Sequence, residues 1–459
     1  MKVNPKTLDA YNLLHYGTLA LAKAERTGIR VDIEYIERKK MFLTRRMKKI
    51  EEDFKKTKFF RHWEHSTKGT VNINSDIQLA QFLYGVKKIK PSRLTASGKG
   101  ATDEEALREL NIPELDLLLK RSKLKKAHDV LDGFYQEQVN GYIHPNFNLN
   151  MVITFRSSSD SPNIQNIPKR DDEMANICRK ALYPRPGHQL LEVDFGSLEV
   201  RIATCYHKDS RMLKYLKDPK SDMHRDMAQQ IFFIDEYDKV NHYVLRQAAK
   251  NGFVFPEFYG DYYKNCAVNM AYGWCKLPQS SWKSGQGIMV NGSHIADHLI
   301  SKGIRSLNSF EKHIQKIEKD FWSRRFSEYA DWKERWWSVY KKYGYIDMLT
   351  GFRCSGVMSR NDCTNYPVQG AAFHCLLWSF IEMEKTIFHK KWDTKLIGQI
   401  HDSIIMDVNP SELEEVIQTI RKITCEDLPK AWEWIIVPLE IDMELSPVDA
   451  SWMDKTKLK

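Results

Sequence analysis

Two apolar segments separated by only two polar residues constrain the fold of this chain more than any other feature. Residues 395–400 and 403–408 are rich in aliphatic side chains, and His401-Asp402 lies between them. Two apolar runs on either side of so short a turn are typical of an antiparallel strand pair. An Asp in that turn either only shapes the turn or is held there for a chemical purpose. The pattern therefore predicts a hairpin with Asp402 at its tip.

A second carboxylate follows another apolar segment. Residues 188–194 form a predicted strand and Ser197 begins a predicted helix, so Asp194 lies where the strand ends. An Asp there is either a helix cap or a ligand of Mg²⁺, which prefers one or two carboxylates plus substrate phosphates. Two such carboxylates on one sheet would suit phosphoryl transfer with two metal ions about 3.5–4 Å apart. Their spacing in the sequence does not show whether Asp194 and Asp402 meet.

Two cations lie between these carboxylates in the sequence. Arg246 and Lys250 are four residues apart, which puts both on one face of a predicted helix. Like charges at that spacing cost a few tenths of a kcal/mol, roughly, unless an anion lies between them. They are either two solvated surface cations or a binding site for a triphosphate.

Length and composition narrow the class of protein. The chain has 459 residues, more than the roughly 250–300 at which one core stops growing, so two or three lobes are expected. Its formal net charge of +10 suits a polyanionic partner. The 8 cysteines show no C-x-x-C spacing, which favours reduced thiols in an intracellular protein. We expect neither a secretory signal nor a membrane span.

The remaining patterns predict helices at the start and in the middle of the chain, with sheet around both acidic segments. Long helices are predicted at 9–30, 34–63, 197–233, 235–250 and 308–343, and a short apolar segment at 148–154. Residues 88–101 are a predicted mobile loop, and 278–303, with four glycines, a predicted insertion or flexible loop. The aromatic residues around Trp332 are either a stacking platform for single strands or one face of a buried helix. Their spacing of three and four favours the buried helix.

In combination these segments resemble a known family. Three of them, in this order, resemble the polymerase motifs of family A DNA polymerases: Asp194-x-x-Ser197-x-Glu199-x-Arg201, Arg246-x-x-x-Lys250 with Tyr259-Gly260 after it, and Gln399-Ile400-His401-Asp402. Further segments are also similar to that family: Gly28–Asp32, Arg156-Ser157-Ser158, Pro162–Pro168, Asp222-Met223-His224-Arg225 and Asn365–Gly370. The resemblance covers nearly the whole chain.

The resemblance implies an α+β, right-hand polymerase fold with an antiparallel palm sheet and largely helical fingers and thumb. The implied parts are a palm entry helix (1–30), a thumb (31–141), palm with the first catalytic motif (142–225), fingers (226–345), and palm with the second catalytic motif (346–459). The implied activity is template-directed extension of a primer 3′-hydroxyl with dNTPs.

Site residues follow from the matching positions. Two Mg²⁺ ions would be held by Asp194, Asp402 and the carbonyl of Phe195. Arg246, Lys250 and His224 would bind the triphosphate, and Lys250 would neutralise or protonate the leaving pyrophosphate. The nucleoside would meet Glu199, which crowds the 2′ position, and Tyr259, which stacks beside the templating base.

The same resemblance implies the DNA contacts. The residues expected to line the primer–template minor groove are Arg156, Asn163, Gln165, Asn166, Gln369 and His401. Basic thumb helices, with Lys123 and Lys126, would grip duplex phosphates. Arg201 would support the first motif.

Two positions depart from the family pattern. Ser403 stands where an acidic residue often follows the second catalytic Asp, and His-Asp-Ser also occurs in single-subunit RNA polymerases. The segment after Lys250 is one residue longer than in bacterial repair enzymes, and Pro256 would interrupt or kink a helix there. The aromatic on the nucleotide sugar is Phe253 or Phe255, and counting back from Tyr259 favours Phe255. This variant resembles that of large bacteriophage polymerases, whose site of action would be the cytoplasm of a bacterial host.

The first 30 residues resemble the polymerase entry rather than an exonuclease, so we expect no proofreading domain in this chain. A separate exonuclease or replisome protein would then be a partner. Two alternatives stay open: an RNA polymerase-like enzyme, and a non-catalytic DNA-binding relative.

Overall fold

Helices and short strands make up the computed structural model, which describes residues 2–91, 93–95, 97–168, 172–218, 220–279 and 281–458. The strands are β1 (Lys2–Pro5), β2 (Ile29–Val31), β3 (Tyr142–Ile143), β4 (Asn146–Asn148), β5 (Ser158–Asp160), β6 (Leu182–Tyr183), β7 (Gln189–Phe195), β8 (Met289–Val290), β9 (Ser293–His294), β10 (Tyr345–Asp347), β11 (Phe352–Ser355), β12 (Lys395–Ile400), β13 (Ser403–Val408), β14 (Ile441–Leu445) and β15 (Thr456–Lys457).

The α-helices are α1 (Leu8–Thr27), α2 (Ile33–Lys55), α3 (Lys58–Ser66), α4 (Asp76–Ala80), α5 (Glu104–Glu109), α6 (Pro113–Glu137), α7 (Asp172–Arg179), α8 (Leu198–His207), α9 (Ser210–Lys217), α10 (Met223–Phe232), α11 (Tyr243–Ala249), α12 (Phe255–Phe258), α13 (Tyr263–Val268), α14 (Ile295–Ser301), α15 (Leu307–Asp320), α16 (Ser327–Tyr343), α17 (Arg360–Lys390), α18 (Leu413–Lys422) and α19 (Leu428–Ala431). Short π-helical stretches follow five of them, at Gln81–Val86, Lys250–Val254, Asn269–Trp274, Phe321–Arg325 and Ile423–Asp427.

The predicted hairpin is part of a five-stranded antiparallel sheet with the order β12-β13-β7-β14-β15. β12 and β13 meet at His401-Asp402, where His401 has a left-handed backbone with φ 52°. Leu191 and Val193 of β7 are fully buried in the core, while Asp194 occupies an alternate position and so lies on the other face. Helix α17 packs against β12 and β13. One face of the sheet is therefore core, and the other carries the acidic residues.

Helices α2 and α6 pack along each other and carry a second, smaller core at one end. That core contains Phe54, Trp63 and Phe82, all nearly inaccessible to solvent. The predicted single helix over 34–63 is wrong, because Thr57 accepts a 3.1 Å hydrogen bond from the Phe60 N–H and so starts a new helix, α3.

Other sequence predictions fail where caps and turns interrupt a periodic pattern. The helix predicted over 197–233 is three helices, since Asp209 and Asp222 cap α9 and α10. The helix predicted over 235–250 begins only at Tyr243. Of the short apolar segment at 148–154, only Asn148 belongs to a strand, β4, and the following residues form bends and turns. Within 88–101, Ser92 and Ala96 lie outside the described residues, and Leu94 forms an isolated bridge with Gly100.

The segment 278–303, predicted as an insertion or flexible loop, is folded over its described residues, and Ser280 lies outside them. It contains the β8–β9 hairpin and α14, whose Ile295 and Leu299 are fully buried. Gly287 has φ 81°, and a Cβ there would lie 2.8 Å from the Cys275 carbonyl oxygen, so glycine is required. The aromatic segment after it forms α16, in which Trp332 is buried as expected for a packed helix.

Membrane-spanning helices are absent from the described ranges, where every long helix is too polar to cross the apolar part of a bilayer.

Candidate active site

Asp194, near the end of β7, and Asp402, in the turn between β12 and β13, lie at the same end of the central sheet. Strand β7 pairs with β13 so that Asp194 is directly opposite Ser403. The Phe195 N–H donates a 3.2 Å hydrogen bond to the Asp402 carbonyl oxygen. The pairing thus brings together two acidic residues that are about two hundred positions apart in the sequence.

The turn after Asp194 is held by a buried arginine. Arg201 of α8 donates from Nε to the Gly196 carbonyl oxygen at 2.8 Å, and its guanidinium pairs with Glu440 at 2.5 Å. The Gly196 N–H donates to the Glu440 carbonyl oxygen at 2.8 Å. These bonds fix the strand-to-helix turn, as expected for a residue that supports this motif.

Arg156 joins the second acidic turn to Glu199. Its guanidinium lies 3.3 Å from Glu199 Oε1 and 3.6 Å from Asp402 Oδ1. The Tyr259 hydroxyl donates to the other oxygen of Glu199. Burial and the neighbouring Glu199 and Asp402 carboxylates raise the pKa of Tyr259 far above its usual value, so the phenol stays protonated. Glu199 is therefore held in one orientation from both sides.

A cationic cluster lies on α11 and the π-helical stretch that follows, and its Arg246 lines one groove with Ser197, just past the Asp194 turn. Arg246 donates from Nε to Asp222 Oδ2 at 2.7 Å and from Nη2 to Asp222 Oδ1 at 3.2 Å. Burial lowers the pKa of Lys250, and Arg246 lowers it further. In the described part of the chain, no carboxylate forms an ion pair with Lys250. Burial and then Lys250 lower the pKa of His224 to about 4, so its ring is neutral at pH 7.

Asp222 is a site residue that sequence reasoning missed. Although its burial raises the pKa, hydrogen bonds from Arg246 and from the Arg225 N–H bring the net pKa below the usual value. Asp222 also caps α10. An Asp directly before a helical pattern is a typical N-cap, but the pairing of Asp222 with Arg246 depends on the tertiary fold.

A π-helical turn at Lys250–Val254 follows α11, and such a turn holds one residue more than an α-helical turn, which would accommodate the extra residue predicted there. Pro256 then lies in the first turn of α12, where a missing N–H costs little. Phe253 is fully buried, with its ring 5.3 Å from Phe321. Phe255 instead lies 5.2 Å from Lys250 Nζ, and its ring is 5.5 Å from the His224 ring. Phe255 is thus the aromatic that faces the cationic cluster.

Gln165 and His401, two of the predicted minor-groove residues, belong to a hydrogen-bonded network beside the hairpin turn. Gln165 Nε2 donates to Ser157 Oγ and to Gln399 Oε1, both at 2.9 Å. Gln399, almost fully buried, donates to the His401 carbonyl oxygen. Gln399 belongs to the third motif segment, but we did not predict its role, since its bonds to Gln165 and to the His401 carbonyl depend on the tertiary fold.

Only some of the other predicted DNA contacts lie together. Asn163 and Asn166 line a groove of about 490 Å³ with Lys126 of α6. Asn163 uses its side-chain oxygen to accept from the Gln165 and Asn166 N–H groups. Lys123 lies apart from that groove and pairs with Glu104 at 3.5 Å, while Gln369 is half-buried on α17.

The donor set suits a hard divalent cation. Asp194 and Asp402 offer carboxylate oxygens at the end of one sheet, and Mg²⁺ prefers such ligands together with substrate phosphates. Within the described ranges, no group of three or more His, Cys, Asp or Glu side chains is arranged as a complete metal cage. A metal bound here would therefore take further ligands from water or substrate.

Known proteins are similar to this chain over most of its length. The family described as DNA polymerase family A matches residues 35–273 and 302–454. The gap between these two ranges overlaps the predicted insertion. DNA polymerase I of Aquifex aeolicus (strain VF5) is 28% identical over 435 residues, which cover 94% of this chain and 65% of that protein. The thermostable DNA polymerase I of Thermus filiformis is 25% identical over 452 residues, covering 95% and 47%. This chain thus spans about two thirds or less of these curated relatives.

A solved structure has a similar fold. The POL domain of Pol1 from M. smegmatis, in complex with DNA primer-template and dNTP, superposes with a TM-score of 0.73 at 21% identity, covering 96% of this chain and 70% of that one. The predicted α+β fold is confirmed.

Proposed function

Because the chain belongs to the family A DNA polymerases, we propose that it extends a primer 3′-hydroxyl with dNTPs on a DNA template. The observation that carries this proposal is the position of Asp194, near the end of β7, beside Asp402 in the β12–β13 turn, with Arg156 linking Asp402 to Glu199. Arg246 lines a groove that begins at Ser197, just past the Asp194 turn.

In the proposed reaction the primer 3′-oxygen attacks the α-phosphorus of the dNTP. A new P–O bond forms, the bond to the β-phosphate oxygen breaks, and pyrophosphate leaves with that electron pair while the 3′-hydroxyl proton passes to solvent. Family A polymerases use divalent metal ions. Asp194, Asp402 and the Phe195 carbonyl would hold two Mg²⁺ ions, which when bound stabilise charge on the attacking and leaving oxygens.

The cationic cluster would bind and neutralise the triphosphate. Arg246 is held by Asp222 at its Nε edge, which orients the guanidinium without using every donor. Since its pKa is lowered by burial, Lys250 gives up a proton to the leaving pyrophosphate oxygen more readily than an exposed lysine. His224 is neutral before phosphate arrives and would donate a hydrogen bond from its ring N–H.

Selection of the sugar would rest on Glu199. With Arg156 on one oxygen and the Tyr259 hydroxyl on the other, this carboxylate cannot swing away from a 2′-hydroxyl. Phe255 would contact the sugar ring. Gln165 and His401 would contact the minor groove, and Lys126 would contact duplex phosphates.

Three finer assignments belong to the same proposal. The palm, fingers and thumb comprise the residue ranges that the family resemblance implies. The one-residue extension after Lys250 supports a bacteriophage-type variant that acts in the cytoplasm of a bacterial host. A replisome protein would be its partner.

Primer extension with Mg²⁺ on a primed single-stranded template tests the proposal. We expect extension with dNTPs and not with rNTPs, a loss of at least about a hundredfold in Asp402→Asn, and retention in the exposed control Asp331→Asn. In Glu199→Gln, rNTP incorporation should rise. Extension of the wild type with rNTPs would favour the RNA polymerase-like alternative, for which Ser403 is the motivating residue. DNA binding without any extension would favour a non-catalytic relative.

A further inference from the structure

A charged groove shares Arg246 and His224 with the proposed triphosphate site, and its described lining includes neither Phe255 nor Tyr259. It has a volume of about 620 Å³ and runs from Ser197, just past the Asp194 turn, to Lys239, ahead of α11. Arg246 and His224 form one part of its wall. The groove therefore connects the end of the central sheet to solvent behind the cationic cluster.

Positive charge exceeds negative charge in the lining. Five cationic side chains face three carboxylates there, and two of these carboxylates are already paired, Glu440 with Arg201 and Asp222 with Arg246. The third, Asp218, accepts hydrogen bonds from the Lys220 N–H at 3.0 Å and from the Ser221 hydroxyl at 2.9 Å.

Lys220 and Lys239 supply the unmatched charge. Both are exposed, and neither forms an ion pair with any carboxylate in the described part of the chain. Two such cations in one concave surface attract a small polyanion more strongly than either does on a flat surface.

We propose that this groove is a binding site for inorganic pyrophosphate, in which Lys220 and Lys239 hold the product after it leaves Arg246 and Lys250. The inference rests on the proposed function, since pyrophosphate is the product of that reaction. An intact nucleotide is the alternative ligand, and it is disfavoured because the groove offers no exposed ring on which a base could stack. Tyr215 is the one Phe, Tyr or Trp residue in the described lining, and it is half-buried and donates its hydroxyl to Asp226 at 2.7 Å.

Equilibrium dialysis of radiolabelled pyrophosphate against the full chain, in EDTA and without DNA, tests the proposal apart from any metal ion and from turnover. Two lost surface charges should raise the Kd for pyrophosphate about fivefold in the Lys220→Ala/Lys239→Ala double variant. The variant Lys239→Glu, which reverses the charge at this position, should raise the Kd for pyrophosphate further than the double variant does. The exposed control Lys302→Ala should bind as the wild type does.

A second measurement links the groove to the reaction. In the double variant, the inhibition constant of added pyrophosphate in primer extension should rise by a larger factor than the Km for dNTP does. Equal Kd values for the double variant and the wild type would overturn the proposal. If the wild type bound pyrophosphate in a lysine-dependent way but extended no primer, the proposed function would fail while the groove remained a polyphosphate site.

Discussion

The hydroxyl of Ser403 donates a 2.8 Å hydrogen bond to Asp194 Oδ1 across the β7–β13 pair. Ser403 is buried, and it stands where the family pattern often has an acidic residue. A hydroxyl in this position fixes one carboxylate oxygen of Asp194 without adding a negative charge.

Removal of the Ser403 hydroxyl should therefore lower the rate of dNTP incorporation, because Asp194 loses the hydrogen bond that orients its carboxylate. A hydrogen bond to a charged group contributes about 1.5–3 kcal/mol, so Ser403→Ala should lower single-turnover dNTP incorporation by roughly tenfold or more. Ser403→Thr keeps the hydroxyl and should retain most of the rate. Similar losses in both variants would indicate that packing, rather than the hydrogen bond, matters at this position.

Asp222 should determine the orientation in which the Arg246 guanidinium binds the triphosphate. Asp222→Ala removes both hydrogen bonds to the guanidinium, which then samples other orientations. We expect the Km for dNTP to rise about tenfold, with a smaller change in kcat. The exposed Asp235→Asn is the control and should leave Km unchanged. Circular dichroism must show that α10, which Asp222 also caps, still forms in the variant.

Substitution of Phe253 should mainly affect stability, whereas substitution of Phe255 should mainly affect dNTP binding. Phe253 is fully buried, so Phe253→Ala should lower the free energy of unfolding by about 3–5 kcal/mol. Phe255 is only partly buried beside Lys250, so Phe255→Ala should raise the Km for dNTP with a smaller loss of stability. Thermal unfolding and steady-state kinetics on the two variants check this. The reverse pattern would assign the sugar contact to Phe253.

The sequence was most informative where a local pattern decides the structure. The hairpin over 395–408 follows from two apolar runs and a two-residue turn, and its prediction is confirmed. By contrast, the bond from Ser403 to Asp194 requires the strand register, which no local pattern reveals. The Asp222–Arg246 pair joins residues 24 positions apart on different helices. The π-helical turn at Lys250–Val254 was signalled only as one surplus residue and a proline in a helical pattern.

Glu257 gives the helix that carries Phe255 a pH-dependent stability. Its side chain is buried in α12 and accepts a 2.8 Å hydrogen bond from Trp322 Nε1. Burial, together with the neighbouring Glu318, raises the pKa of Glu257 to about 8 against the opposing hydrogen bond from Trp322, so the carboxyl is protonated at pH 7. Burial of Lys333 nearby lowers that ammonium pKa to about 8, which limits the positive charge available to offset an ionised Glu257.

The sign of the effect follows from the two states. Below the usual Glu pKa of about 4.5 both folded and unfolded chains hold the proton, and the buried neutral carboxyl costs no ionisation. As pH rises from there to about 8, only the unfolded chain loses the proton, so this contribution to stability is progressively lost. Glu257→Gln, a neutral side chain that still accepts from Trp322, should therefore be more stable than the wild type, on the order of 3 kcal/mol at pH 8 and much less at pH 5. Thermal unfolding between pH 5 and 8.5, with the exposed control Glu236→Gln, measures the difference. A gain that did not grow with pH would mean that Glu257 is already ionised in the folded chain.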